Sequence, residues 1–326
     1  MKAIVITHPG EPEVLELQEV ADPIPATGEL LVRVHATALN RADTLQRRGL
    51  YPPPPGASEI LGLEMAGEVV EVAADSGGQV GQRVMALLAG GGYAQYVTIP
   101  APMAIPIPDG MGYEEAAALP EACLTAYMNL FMLGKLQTGG VALVHAAGSG
   151  VGSIAVQMAK AAGTTVLATA RNASKLEAVR KLGADFTYDT GNATDFSGWV
   201  LQSTEGQGAD VILDFVGAPY LSENLKSLNL NGRLVLIGQL GGSKTEVDLG
   251  LVMRRRLHIL GATLRAQPLE RKIEITRRFC EFATPLLAQG RLVPVVDRVF
   301  ELAEASAAHH YMESNANFGK IVLKVS

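Results

Sequence analysis

Apolar positions along this chain follow two different rhythms. Beyond residue 140, short continuous apolar runs alternate with stretches of helical spacing. Residues 141–144, 165–170, 186–188, 210–215, 233–238 and 257–260 read as strands. Between them, 153–162 reads as a helix, 174–182 as another with Ser174 as its N-cap, and Pro219 stands near the start of a third. Strands apolar on both faces and separated by helices require a parallel sheet covered on both sides. The pattern predicts an α/β, doubly wound parallel-sheet domain. Before residue 120 the rhythm changes. Strand candidates at 30–36, 68–73, 83–88 and 93–99 recur at roughly ten-residue spacing between Gly and Pro turns, as in an antiparallel barrel. A helical pattern at 269–289 and a strand at 320–325 carry no glycine turn of their own and are assigned back to this first domain. The expected division is 1–122 plus 265–326 for the barrel domain, with 123–264 inserted.

The chemistry begins at VALVHAAGSGVG, residues 141–152. A buried strand, a glycine-dense turn and a helix start form a site for dinucleotide phosphates. Helix N–H groups and the helix dipole favour the negative charge there, and glycine lets the backbone approach. Gly148, Gly150 and Gly152 alternate, which departs from G-x-G-x-x-G spacing. Past the second strand come Arg171, Asn172, Ser174 and Lys175, with no carboxylate before Glu177. Two cations suit a ribose 2′-phosphate better than a 2′-hydroxyl, so NADPH is the expected cofactor.

Composition narrows the classes further. At 326 residues and 48% hydrophobic, the chain can bury a large core and form two domains. The net charge of −6 and the lack of a long basic run argue against nucleic acid. The short run Arg254–Arg256 reads as a sheet-edge or cofactor-side feature. Two cysteines, Cys123 and Cys280, fit a reducing cytoplasm and not a disulfide framework. No uninterrupted apolar run approaches membrane-span length, and the start of the chain reads as a strand, not a signal core.

Several segments carry a resemblance: NRADTLQRRGLYPPPPG with ILGLEMAGEVVE, LLAGGGYAQYV at 87–97, LPEACLTAY at 119–127 and NANFGKIVL at 315–323. Taken in order, the chain resembles the medium-chain dehydrogenase/reductase superfamily. Within it the chain is most similar to the zinc-independent quinone oxidoreductases, in particular the tumour-suppressor-inducible subgroup. That resemblance implies a Rossmann nucleotide domain inserted in a GroES-like barrel domain. It also implies A-x-x-G-x-x-G at the turn, falling on Ala146, Ser149 and Gly152, so that Ser149 replaces a glycine, loses some freedom for positive φ and adds a hydroxyl. Gly150 and Val151 complete the implied phosphate turn. Asn40 and Thr125 match positions lining the nicotinamide. Gly217, Gly238, Leu264 and Lys320 match positions passing the adenine-side ribose, the nicotinamide and the pyrophosphate. Relatives place a Tyr at the 2′-phosphate where this chain has Thr190.

The resemblance also implies the absence of a metal. Zinc-dependent members use a Cys and a His at the places held here by Asn40 and Leu63, and no cysteine precedes Cys123. The six histidines read as packed or surface residues, and Glu64 as a partner in a structural hydrogen bond or ion pair. Without a Lewis acid, reduction of an already electrophilic conjugated carbonyl is the easier chemistry. Tyr51, on the loop YPPPPG, is either a hydrogen-bond donor to the substrate carbonyl or an aromatic wall; Asn40 or Thr125 are the other candidates to polarise it. Three activities follow from the resemblance: NADPH:quinone reductase first, enoyl reductase on an α,β-unsaturated carbonyl or thioester second, and a non-enzymatic crystallin-like or RNA-binding role third. A homodimer formed through the edge of the nucleotide-domain sheet is expected.

Overall fold

The structure, a computed structural model, describes residues 1–191 and 193–325. It divides into two compact units: Met1–Leu124 with Leu264–Ala288 and Pro294–Ser326, and Thr125–Thr263 with Gln289–Val293.

The second unit is built on six parallel strands in the order Phe186–Asp189, Thr165–Ala170, Val141–Val144, Ala209–Asp214, Leu228–Leu236 and His258–Gly261. This is the doubly wound arrangement expected from the continuous apolar runs. The order reverses between Val141–Val144 and Ala209–Asp214, where ligands bind beyond the strands' carboxyl ends. Leu143, Leu167, Ile212 and Leu234 from the sheet pack with Phe196, Val200, Leu221 and Leu225 in one buried cluster. The strand Leu228–Leu236 begins earlier than expected, because Leu228 pairs with Ala209 across a bulge before the apolar run starts.

In the first unit, Glu29–Ala38 is the central strand. It pairs antiparallel with Lys320–Lys324, with Glu64–Val72 and with Tyr96–Pro100. The sheet continues through Arg83–Leu87 to Ile105–Pro106 on one side, and to Val296–Glu301, parallel to Lys320–Lys324, on the other. Leu30, Val32 and Val34 face the core with Met65, Val84, Ile99 and Ile321. A helix, Leu269–Ala288, buries Ile275, Phe279 and Ala283.

One expectation is corrected. Counting uninterrupted apolar runs misses the helical stretch Tyr113–Leu133, which has 21 residues and a mean hydropathy of 1.3 in its most apolar window. Among the described residues it is the one helix long and apolar enough to cross a membrane, and 72% of that window is buried inside the protein.

Gly67 explains part of the phrase MAGEVVE. It sits opposite Val34 in the ladder, and a Cβ there would lie 2.1 Å from the Arg33 carbonyl oxygen and 2.8 Å from Val32 Cγ1. Gly67→Ala should therefore destabilise the protein by at least ~1–3 kcal/mol, because backbone must move. Gly198→Ala is the control: its Cβ meets nothing within 4 Å, and alanine favours the helix Ser197–Ser203. Urea midpoints check both; a Gly67→Ala midpoint at the wild-type value would refute the packing argument.

Candidate active site

The phosphate turn is assembled from the strand Val141–Val144 and the helix Gly150–Ala161. Ser149 is the helix N-cap at φ −79°, and its Oγ accepts from Gly152 N–H at 3.0 Å. The feared loss of positive φ at Ser149 does not arise; Ala146 is the left-handed residue, at φ 45°. Gly152 is needed for closeness, since a Cβ would lie 2.5 Å from the Ala146 carbonyl oxygen. The first-turn N–H groups of Gly150 and Val151 have no acceptor within the helix. Extended cap, open N–H groups and a crowded glycine together fit a dinucleotide pyrophosphate.

At the end of Thr165–Ala170 the N-cap is Asn172, not Ser174: its Oδ1 accepts from Lys175 N–H at 2.9 Å and from Ser174 Oγ at 3.0 Å. An amide oxygen reaches the third helical N–H, and Ser174 becomes part of the first turn. Arg171 is exposed and Lys175 half-buried on this same connection. The carboxylate nearest in register, Asp189 opposite Ala170, accepts from Gly191 N–H at 2.8 Å. Thr190 is buried and bonds the Ala170 carbonyl at 3.3 Å. Gly217, at φ 85°, and Gly238 lie beyond two further strand ends, and a Cβ at either would meet backbone within 3 Å. Thr125, also in this unit, is buried, and its carbonyl accepts from Asn129 Nδ2 at 2.7 Å.

In the first unit, Lys320, Glu64 and Asn40 form one buried cluster. Lys320 Nζ donates to the Leu39 carbonyl at 2.8 Å, to Asn40 Oδ1 at 2.7 Å and to Glu64 Oε1 at 2.5 Å. Asn40 Nδ2 donates to Glu64 Oε1 at 2.9 Å and to the Ala38 carbonyl at 3.3 Å, and Glu121 N–H bonds Glu64 Oε2 at 2.9 Å. The reading of Asn40 as a carbonyl-polarising group is thereby corrected, because both its amide protons are engaged inside the protein. Its oxygen, bonded by Lys320, keeps one lone pair. Lys320 likewise has its three protons satisfied by the Leu39 carbonyl, Asn40 and Glu64. Asp43 supports the same segment: its carboxylate accepts from Asn40 N–H at 2.7 Å and Gly62 N–H at 3.3 Å. Burial pushes its pKa up to about 6.

Zinc finds a poor donor set in this place. Glu64 is its one carboxylate and already accepts from Lys320, Asn40 and the Glu121 N–H, Asn40 is bonded to the same ammonium, and Leu63 is aliphatic, where zinc needs several thiolate, imidazole or carboxylate ligands. Among the described residues no group of three or more His, Cys, Asp or Glu side chains is placed to hold a metal ion.

Tyr51 is half-buried, and Arg265 organises its surroundings. The guanidinium lies 5.3 Å from the centre of the Tyr51 ring. It donates to the Ala89 carbonyl at 2.9 Å, to Gln46 Oε1 at 2.7 Å and to the Tyr51 carbonyl at 3.5 Å. Gln46 Nε2 in turn donates to the Glu59 carbonyl at 2.9 Å, so both ends of the proline loop are tied. Sequence reasoning stopped at Leu264, which is buried, and missed Arg265; a lone arginine beside an apolar strand gives no spacing signal.

The model of the family described as "Zinc-binding dehydrogenase" matches residues 150–278, and that of the "Alcohol dehydrogenase GroES-like domain" matches 26–109. The chain belongs to the medium-chain dehydrogenase/reductase superfamily. Within that superfamily it is similar to a mycobacterial protein solved in complex with NADPH, at 30% identity over 99% of both chains and a TM-score of 0.88. It is also similar to the CurK enoyl reductase, at 28% identity over 100% of this chain and 99% of the other, with a TM-score of 0.87. A Pseudomonas syringae quinone oxidoreductase matches at 29% identity over 99% of both chains, with a TM-score of 0.86. A Mycobacterium tuberculosis phenolphthiocerol/phthiocerol polyketide synthase subunit is 31% identical over 98% of this chain, which spans only 14% of that protein's length. Members of this superfamily are oxidoreductases that bind nicotinamide nucleotides.

The buried cluster gives a direct test. Glu64 and Lys320 are 0% and 5% exposed. Glu64→Gln or Lys320→Met alone should cost about 3–5 kcal/mol, because each leaves its partner charged and unpaired. The double variant should recover part of that loss in a thermodynamic cycle. Simple additivity of the two single effects would show that the charges do not interact.

Proposed function

We propose that this protein is a zinc-independent NADPH:quinone oxidoreductase. The observation that carries the reading is the buried Lys320–Glu64–Asn40 cluster, which fills with hydrogen-bonded side chains the place that the family resemblance assigns to the metal of zinc-dependent members. With no Lewis acid assisting on this reading, the substrate must itself be electrophilic, and a quinone meets that requirement. Bound NADPH supplies a hydride, and one proton completes the hydroquinone. The protein then contributes orientation and one polarising hydrogen bond. With both Asn40 amide protons engaged, that donor is the Tyr51 hydroxyl or the Thr125 hydroxyl; the Arg265 ties favour Tyr51 by fixing its loop. Arg171 and Lys175 receive the 2′-phosphate. Two free cysteines, one of them buried, support a reducing cytoplasm. A homodimer through the sheet edge His258–Gly261, where Ile259 is 39% exposed, belongs to the same proposal and is checked by sedimentation.

The likeness to CurK supports a second reading, an enoyl reductase acting on an α,β-unsaturated carbonyl or thioester. Turnover of an ortho-quinone, a para-quinone and a simple enone, measured side by side with NADPH, decides between them. Quinones should react faster, and a faster enone would move the assignment to the second reading. Tyr51→Phe should lower quinone turnover on the order of tenfold and enone turnover further, since the enone needs more activation. Unchanged turnover of both would reduce Tyr51 to a wall of the pocket.

Cofactor choice is tested separately. Lys175→Ala should weaken NADPH binding by about ten- to a hundredfold, the worth of a charged hydrogen bond, and leave NADH almost unchanged. Equal weakening of both nucleotides would place Lys175 away from the 2′-phosphate.

A further inference from the structure

His145 stands at the carboxyl end of the strand Val141–Val144, one residue before the phosphate turn, and has no solvent exposure. It lies 4.8 Å from the Phe196 ring and 4.9 Å from the Tyr220 ring, centre to centre. Both its nitrogens are bonded: Nδ1 to Thr169 Oγ1 at 2.8 Å and Nε2 to Asn224 Oδ1 at 2.7 Å. Asn224 Nδ2 donates to Asp214 Oδ2 at 3.0 Å. The other Asp214 oxygen accepts from Val216 N–H at 2.6 Å and Gly217 N–H at 3.1 Å. Thr169, Asn224 and Asp214 are as fully buried as the histidine.

Protons can be assigned along the whole chain. The Asp214 carboxylate only accepts, so Asn224 turns its amide nitrogen toward it and its oxygen toward His145. Nε2 must therefore carry the imidazole proton, and Nδ1 accepts from the Thr169 hydroxyl. Burial pushes the His145 pKa down to about 4, so the neutral form persists at physiological pH.

This chain joins three strand ends, with Asn224 of the helix Leu221–Ser227 as the link between two of them. Thr169 closes Thr165–Ala170 just ahead of Arg171 and Lys175. Asp214 closes Ala209–Asp214 and caps the turn holding Gly217, and its carbonyl accepts from Gly238 N–H at 3.3 Å. His145 itself leads into Ala146 and Ser149. Ala146–Gly152, Arg171, Lys175 and Gly217, assigned to the nucleotide, leave the sheet at these ends. We infer that His145 is the positioning residue of the nucleotide site: as a neutral imidazole it locks the three strand ends in the one relative arrangement that accepts the dinucleotide. The inference rests on the nucleotide-binding reading of this turn, and it assigns His145 no part in hydride transfer.

A positioning role predicts a distinctive pattern. His145→Leu should raise the dissociation constants of NADPH and NADH alike, by at least about tenfold, the worth of a lost buried hydrogen bond or more. Turnover at saturating nucleotide should stay within about twofold, as expected when only uniform binding is lost. His145→Gln, which keeps one amide end for Asn224 or Thr169, should recover part of the affinity. Thr169→Val removes a single hydroxyl at constant shape, and is the variant to rely on if His145→Leu does not fold; it should weaken both nucleotides several-fold. Binding is read from the fluorescence of the reduced nucleotide, and folding from circular dichroism. Folded variants with wild-type dissociation constants, or ones losing only thermal stability, would overturn the inference while leaving the cofactor assignment standing. Wild-type protein that binds neither nucleotide would overturn both.

Discussion

Lys320 and Glu64 meet at 2.5 Å in a place water does not reach, and much of the first unit is arranged to make that contact tolerable. An ammonium and a carboxylate taken from water are stable only when their remaining protons and lone pairs are met. Here the Leu39 carbonyl, the Asn40 amide and the Glu121 N–H meet them. The same bonds fix the orientation of Asn40 and remove its protons from chemistry. They also fasten the strand Lys320–Lys324 against Glu29–Ala38, so the electrostatics and the sheet register depend on each other.

The second unit achieves its preorganisation differently. The Asp214 carboxylate buried near its phosphate turn is met by an amide and two backbone N–H groups in place of a cation. Order comes from caps: the Ser149 hydroxyl on Gly152, the Asn172 amide on Lys175 and the Asp214 carboxylate on Gly217. Each ties down a segment that would otherwise fray, and each leaves neighbouring N–H groups facing outward. Serine in place of a glycine is harmless because the strained backbone sits three residues earlier, at Ala146.

The parallel sheet was legible because its strands are apolar on both faces, a signal that no loop imitates. The strands Leu15–Glu19 and Val296–Glu301 were not legible, since most of their residues are exposed or only partly covered and carry charge. The helices Arg41–Arg47 and Ala305–Glu313 are too short to show a period, and are held by buried polar contacts such as Arg47 to His309 at 3.1 Å. At the site, the glycine turn was read from the residues themselves, while Asn40 and Tyr51 were singled out by the family resemblance. Neither indicated that Lys320 bonds the Asn40 oxygen or that Arg265 staples the Tyr51 loop, because both depend on partners more than 200 positions away. Such pairings leave no local trace in the sequence.

The distance along the chain between Asn40 and Lys320, 280 positions, also bears on how the protein comes to be folded. During synthesis the strand Glu29–Ala38 emerges early, while the strand that covers its last residues arrives only after the entire nucleotide unit. Closing so large a loop is slow more than it is costly, since the entropy of closure grows only with the logarithm of length. Until then Glu64 waits without its cation, and one stretch of the central strand waits without a neighbour. The nascent barrel is thus a template open to foreign strands, and chaperone occupancy on the ribosome should peak while the inserted unit is being made.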